Sequence, residues 1–210
     1  SGLCSEGLSS MDFPEPIVRL RQLTKSYGDL PVLRGIDLDI APGQKVAVIG
    51  PSGSGKSTLL RLLMTLERPD AGTIEIDGKR VPRIDPPTAV DMGIGLAPED
   101  RRRDGLFPIL PVKSNVVMAS LRTMFRAGIL WPARERQEAQ KYVDKLRVQP
   151  PGLDRQVQYL SGGNQQKVVV AKWLAVGPRI LIFDEPTRGI DVGAKAEIHA
   201  FMDELANAGN

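Results

Sequence analysis

Across 210 residues the sequence carries one cysteine, Cys4, and one histidine, His199. A lone cysteine cannot close an intrachain disulfide, which fits a reducing compartment. No apolar run approaches the ~18 residues that a bilayer-spanning helix needs, so contact with a membrane would have to pass through a partner. The first ten residues are small and polar and lack the basic start and apolar stretch of a secretory signal. Met11 reads as a natural start, and residues 1–14 are expected to form a disordered tail. There is no internal repeat and no heptad run. A formal charge of +3 is too small to argue for nucleic acid, and the one dense basic run, Arg101–Arg102–Arg103, reads as a solvated loop. His199, in the middle of a helical pattern, reads as structural or exposed.

What is present is ordinary for a globular domain. Hydrophobic residues make up 41% and charged residues 25%, and the length allows one sizeable core with a smaller inserted lobe. Ile17–Arg21 alternates apolar with charged residues, as a half-buried strand does. Val32–Ile40 repeats the pattern, with Ile36, Leu38 and Ile40 on one face. After the Pro42–Gly43 turn, the apolar run Lys45–Ile49 suits a central parallel strand. Leucines at helical spacing predict a helix over Ser57–Leu66, and Gly72–Gly78 reads as a strand entering a turn. Pro82–Thr88 reads as a Pro-rich connector. From Gly105 to Gln149 the character is helical, with Pro132 in the first turn of a helix over Glu135–Leu146. Pro150–Gly152 ends that lobe, Gly162–Gly163 opens a helix through Leu174, Arg179–Phe183 is a sheet strand, and Gly193–Leu205 is a last helix with Ile198, Phe201, Met202 and Leu205 on its buried side.

Three stretches carry chemistry. Gly50–Pro51–Ser52–Gly53–Ser54–Gly55–Lys56–Ser57–Thr58 follows an apolar run and opens a helix, the context of a phosphate-cradling loop. Its glycines let several N–H groups point inward, Lys56 supplies a full charge to the phosphates, and the Ser57 hydroxyl is offered to Mg²⁺. Ser161, Gly162 and Gly163 open another helix and form a second anion-directed N-terminus. About twenty residues further on, Ile180–Phe183 ends in the carboxylates Asp184 and Glu185. Asp184 at the strand end suits holding Mg²⁺ through water, and Glu185 is placed to polarise an attacking water as general base. An acidic pair that merely caps a turn is the alternative.

In this order the three stretches resemble the nucleotide-binding subunit of an ABC transporter, from about Ile17 to the C-terminus. The resemblance implies an α/β fold. It comprises a P-loop NTPase core with a parallel sheet, an N-terminal antiparallel β part and a helical lobe inserted at about 100–175, in a domain over 15–210. It implies ATP and Mg²⁺ as cofactors, and a head-to-tail dimer in which Ser161–Gly163 of one copy caps the γ-phosphate held by Lys56 of the other. Asp191 matches an aspartate that crosses that interface, Tyr27 an aromatic that stacks on adenine, and Glu99 the joint between lobes that senses Mg²⁺ and the membrane partner. A core or surface role is the alternative for Tyr27. Phe107–Arg122 would dock a transmembrane permease, a lobe that merely packs being the alternative, placing the chain peripherally at the cytoplasmic face of the inner membrane, with no nucleic-acid partner.

The likeness changes along the chain. Up to about Val81 it is closest to polar amino-acid importer ATPases. From Gly93–Arg101 onward, with Leu160–Lys167 and Asp184–Val192, it is closest to the second ATPase half of ribose- or galactose-type importers. Those sugar halves usually have a degraded phosphate loop, intact here. Glu99 stands where most relatives have glutamine, and a carboxylate cannot donate a hydrogen bond. The sequence stops at Asn210, before the family's next strand and switch histidine. The resemblance therefore implies a C-terminally incomplete domain, opened in mid-sheet and slow as an ATPase. The leading expectation is an ATPase powering import of a small solute, sugar over amino acid. The alternatives are a non-transport ATPase of this fold and a nucleotide-binding module with little turnover.

Overall fold

The computed structural model describes residues 15–81, 85–124 and 131–207; the expected tail at 1–14 lies outside them. Strands β1 (Val18–Tyr27) and β2 (Leu30–Ile40) form an antiparallel hairpin. Strand β3 (Ala71–Ile76) adds to the other side of β1, and β4 (Lys79–Arg80) pairs with β3, giving the order β2-β1-β3-β4. Between β2 and β3 lies helix α1 (Lys56–Leu63), which turns Leu59 and Leu62 into the core beneath the sheet. Burying each leucine stabilises the layer by roughly 1.5–3 kcal/mol. Leu66, expected on the same helix, lies past its end and is half exposed.

Helix α2 (Pro86–Asp91) starts inside the stretch expected to be a connector. Asp85 supplies the reason, because its carboxylate accepts from the Thr88 N–H at 2.9 Å while Pro86 occupies the first turn. Residues 82–84 of that connector lie outside the described residues. Strand β5 (Ile94–Ala97) then pairs in parallel with β6 (Ile180–Phe183). Side chains of β6 alternate across the sheet: Ile180 and Ile182 join the β-rich core, and Leu181 and Phe183 join the helical one.

The helical part comprises α3 (Val112–Val117), α4 (Leu121–Met124), α5 (Pro132–Lys145) and α6 (Gly162–Leu174). Val116, Val143, Val157, Val168 and Val169 form its interior. The last helix, α7 (Val192–Asn207), sends Phe201 and Leu205 into this core and Ile198 inward, as its spacing predicted, with Met202 only half-buried.

The expected central strand at Lys45–Ile49 is not formed. Val46, Val48 and Ile49 are exposed at 39%, 44% and 92%, and the run has no ladder partner among the described residues. A strand is held by its neighbours' backbone, so apolar pattern alone does not make one. Lys45 is instead ion-paired with Asp203 on α7.

Candidate functional site

The Gly50–Thr58 loop turns tightly, with the Ser54 N–H donating to the Pro51 carbonyl at 3.2 Å. Gly55 caps α1 at φ +90° with no side-chain hydrogen bond. A Cβ there would stand 2.9 Å from both Leu33 Cδ2 and Val32 Cγ1, so glycine is required by conformation and by the closeness of β2. The first N–H groups of α1 are thereby left for an outside acceptor. Lys56 Nζ folds over the loop, donating to the carbonyls of Gly50 at 2.6 Å and Pro51 at 2.8 Å.

Ser57, at the start of α1, lines a cavity of about 770 Å³ together with Arg61, Glu99, Asp184 and Arg188. Asp184 follows the last residue of β6, and its N–H donates to the Ala97 carbonyl at the end of β5 at 2.9 Å. Burial, and then the charge of Glu185, raise the Asp184 pKa; Arg61 and Lys56 act against that rise. Glu185 is exposed and holds φ +44°, a left-handed conformation that a glutamate adopts only under local constraint. The turn beyond it closes by the Arg188 N–H donating to the Glu185 carbonyl at 3.0 Å.

The Ser57 hydroxyl and the Asp184 and Glu99 carboxylates are hard oxygen donors of the kind Mg²⁺ takes. No cluster of three or more His, Cys, Asp or Glu suited to a metal occurs among the described residues. The donor set therefore fits an ion that completes its shell with water and phosphate oxygens. Glu99 is itself ion-paired with Arg188, which lines the same cavity.

Ser161 caps α6, its hydroxyl accepting from the Asn164 side-chain amide at 2.9 Å and more weakly from the Asn164 N–H. Asp191 accepts from the Ala194 N–H at 2.8 Å and so opens α7. A Cβ on Gly163 would stand 2.5 Å from Ala194 Cβ, so α6 and α7 start in direct contact.

Residues 33–188 match the family model described as ABC transporter. The chain belongs to the ABC transporter family. It is 42% identical to ribose import ATP-binding protein RbsA 2 of Streptomyces avermitilis, over 93% of this chain and 38% of that one. It is 42% identical to ribose import ATP-binding protein RbsA of Pseudomonas putida, over 88% and 36%. The chain thus spans under two fifths of the length of these curated relatives. Both alignments run through most of this chain, so likeness to sugar importers is not confined to its second half. Among solved structures it resembles a dimeric ATP-binding cassette in a post-hydrolysis state bound to ADP and Pi. That match is 28% identical, with TM-score 0.78, over 91% of this chain and 84% of that one. It shares its fold with a nucleotide-free ATP-binding cassette from an ABC transporter, 24% identical with TM-score 0.79 over 92% and 78%.

Of the residues singled out in this ABC transporter sequence, Ser57, Glu99 and Asp184 meet in one cavity next to the Gly50–Thr58 loop. Ser161, Gly162, Gly163 and Asp191 gather instead where α6 and α7 begin. Tyr27 joins neither group. Its ring is 44% exposed, its hydroxyl donates to Glu67, and Lys25 Nζ lies 5.6 Å from the ring centre. His199 is exposed. The basic run at 101–103 divides: Arg102 and Arg103 are exposed, but Arg101 is half-buried and donates to the carbonyls of Arg188 and Gly189. Arg61, Arg101 and Arg188 were missed by the sequence reading, and for Arg61 the only signal was its place one turn after Ser57.

Proposed function

We propose that the chain binds and hydrolyses ATP to power import of a small solute, a sugar, through a membrane permease. The observation that carries this reading is the shared cavity of Ser57 and Asp184 beside the Lys56 loop. The triphosphate lies along Gly50–Thr58, where the free N–H groups at the start of α1 and the Lys56 ammonium replace its water shell. Lys56 exchanges its two loop carbonyls for phosphate oxygens, so the amine is already in place before nucleotide arrives. Mg²⁺, held by the Ser57 hydroxyl and the Asp184 carboxylate, neutralises phosphate charge when bound. Glu185 orients the attacking water and takes its proton. Tyr27 packs against the adenine.

Ser161–Gly163 of a second copy faces the γ-phosphate, and Asp191 lies along that interface; the dimeric relative with ADP and Pi supports this arrangement. Loss of the γ-phosphate removes the bridge and opens the dimer. In this reading the permease is a separate element and the chain sits against it at the cytoplasmic face; no helix among the described residues is long and apolar enough to cross a membrane. The exposed Phe107 and Ile109, on a loop fixed by three Asn115 amide donations, suit that docking. Sugar as cargo rests on the ribose import relatives.

The test is phosphate release from ATP by the full chain. Glu185→Gln is expected to lower turnover by about a thousandfold while ATP still binds. Hydrolysis that survives Glu185→Gln removes the general base from the scheme. Uptake of labelled ribose against a labelled polar amino acid, with the permease present, decides the cargo. A second reading, nucleotide binding with little turnover, draws on the Lys45–Ile49 run, which has no ladder partner among the described residues, and on the engagement of Glu99 by Arg188. Tight ATP binding without phosphate release would select it.

A further inference from the structure

Arg101 occupies the space between two groups that the proposed function assigns to different ATP molecules. Its Nη1 donates to the Arg188 carbonyl at 2.9 Å and its Nη2 to the Gly189 carbonyl at 3.3 Å. Nη2 also lies against the opening of α6. A Cβ built on Gly162 would stand 2.7 Å from Nη2 and 3.0 Å from the Gly189 carbonyl oxygen. On the other side, Arg188 pairs with Glu99, two residues before Arg101, and its N–H holds the Glu185 carbonyl. Contacts therefore run without a gap from Glu185 through Arg188, Gly189 and Arg101 to Gly162.

The charge of Arg101 makes this joint responsive. A cation behind a helix N-terminus is disfavoured, because both ends are positive. Among the described residues only neutral carbonyls receive the guanidinium, and its Nε is buried with no partner. Burial, then Arg102, lowers the pKa from the ordinary arginine value. The group nevertheless keeps its proton, so the strain is relieved by an arriving anion and not by titration. The planar fork of arginine reaches two carbonyls at once, which a lysine ammonium does not reproduce.

We infer that Arg101 is a positioning residue that couples the two ATP sites of the two-copy assembly. Within one protomer it joins the Glu185 turn, which serves one ATP, to the Ser161–Gly162 helix opening, which serves the other. Close packing leaves no slack at Gly162, so a shift of the 188–189 backbone is passed on to α6. The inference rests on the two-copy reading above.

The experiment measures ATP turnover by the full chain across ATP concentration, with ATP binding and thermal melting on the same samples. The parent is expected to show a Hill coefficient above about 1, approaching its two-site limit. Arg101→Ala and Arg101→Lys are expected to bring it to about 1 and to lower kcat about tenfold, with ATP affinity unchanged within about twofold. Gly162→Ala, which keeps Arg101 but displaces its guanidinium, is expected to lower the Hill coefficient in the same way. A parent Hill coefficient of 1, or an unchanged coefficient in Arg101→Ala, overturns the inference. So does a loss of ATP affinity or melting temperature that matches the loss of kcat. Sedimentation of the Glu185→Gln chain with ATP separates the two levels. Without a dimer, the two-copy reading falls and takes this inference with it; a dimer whose cooperativity ignores Arg101 overturns this inference alone.

Discussion

Helix α1 opens on Gly55, in a left-handed conformation and without a side-chain cap, whereas α6 opens on Ser161, whose hydroxyl is already engaged by Asn164. The bodies of the two helices differ in the same sense. α1 has two buried residues, Leu59 and Leu62, on one face. α6 is buried nearly all round, at Gly163, from Gln165 through Ala171 and at Leu174. It is pinned at Lys167 by Glu197 at 2.6 Å and at Lys172 by the Gly105 carbonyl at 2.7 Å. Both present a glycine-rich N-terminus, but only α1 leaves its first N–H groups uncapped, which suits it to the phosphate-cradling role proposed above. α6 is a fixed post whose edge can be offered to a ligand held elsewhere. The comparison teaches that a Gly-rich helix opening is read by its cap and its burial, not by its glycines.

The comparison breaks most visibly at Lys56. Lys56→Ala is expected to weaken ATP binding by about a hundredfold in titration calorimetry, whereas Ser161→Ala leaves the affinity of an isolated protomer unchanged. Equal losses would mean that the two openings serve the same phosphate in one protomer. Gly55→Ala, which forces a Cβ against Val32 and Leu33, is expected to cost about 2 kcal/mol in denaturant unfolding. Ser161→Ala is expected to cost about 1 kcal/mol, the usual value of an N-cap, with the loss confined to stability and to the two-copy assembly.

The smallest effect sharpens the picture of α6 as a buried post. Burial lowers the Lys172 pKa from 10.5 to about 8. The folded chain therefore sheds this proton before the unfolded chain does. Stability is expected to rise as pH climbs from about 8 toward 10.5, because the unfolded state binds more protons in that window. Lys172→Met should flatten that rise in thermal melts taken across the window. A rise that persists in Lys172→Met would place its source in another group.

Much of this was legible locally. The starts of α5 and α6 followed from Pro132 and from Ser161–Gly163, and the buried side of α7 from the spacing of Ile198, Phe201 and Leu205. Helix ends and helix faces are set by residues within a turn or two of one another. The two strands of the hairpin were visible in alternation, but their antiparallel pairing was implied only by the family resemblance. Strand β5 was not, nor was the lack of a ladder partner for Lys45–Ile49 among the described residues, because a strand exists only through a partner distant in sequence. The start of α2 was obscured by its prolines, which suit a first turn as well as a connector. At the candidate site, residue types and spacing named the Lys56 loop, Asp184 and Glu185. Three adjacent arginines looked alike, and nothing within the run distinguished the one held by the 188–189 carbonyls.

By itself, then, the sequence named the groups suited to grip a polyphosphate, since backbone freedom at glycine, the charge of lysine and a carboxylate after an apolar run are properties of short segments. Only the tertiary structure decided which of them share a cavity, that Glu99 is taken by Arg188, and that the half-buried Arg101 lies against Gly162. Those outcomes depend on contacts between segments tens of residues apart, and the packing of two cores around β5 and β6 brings them together.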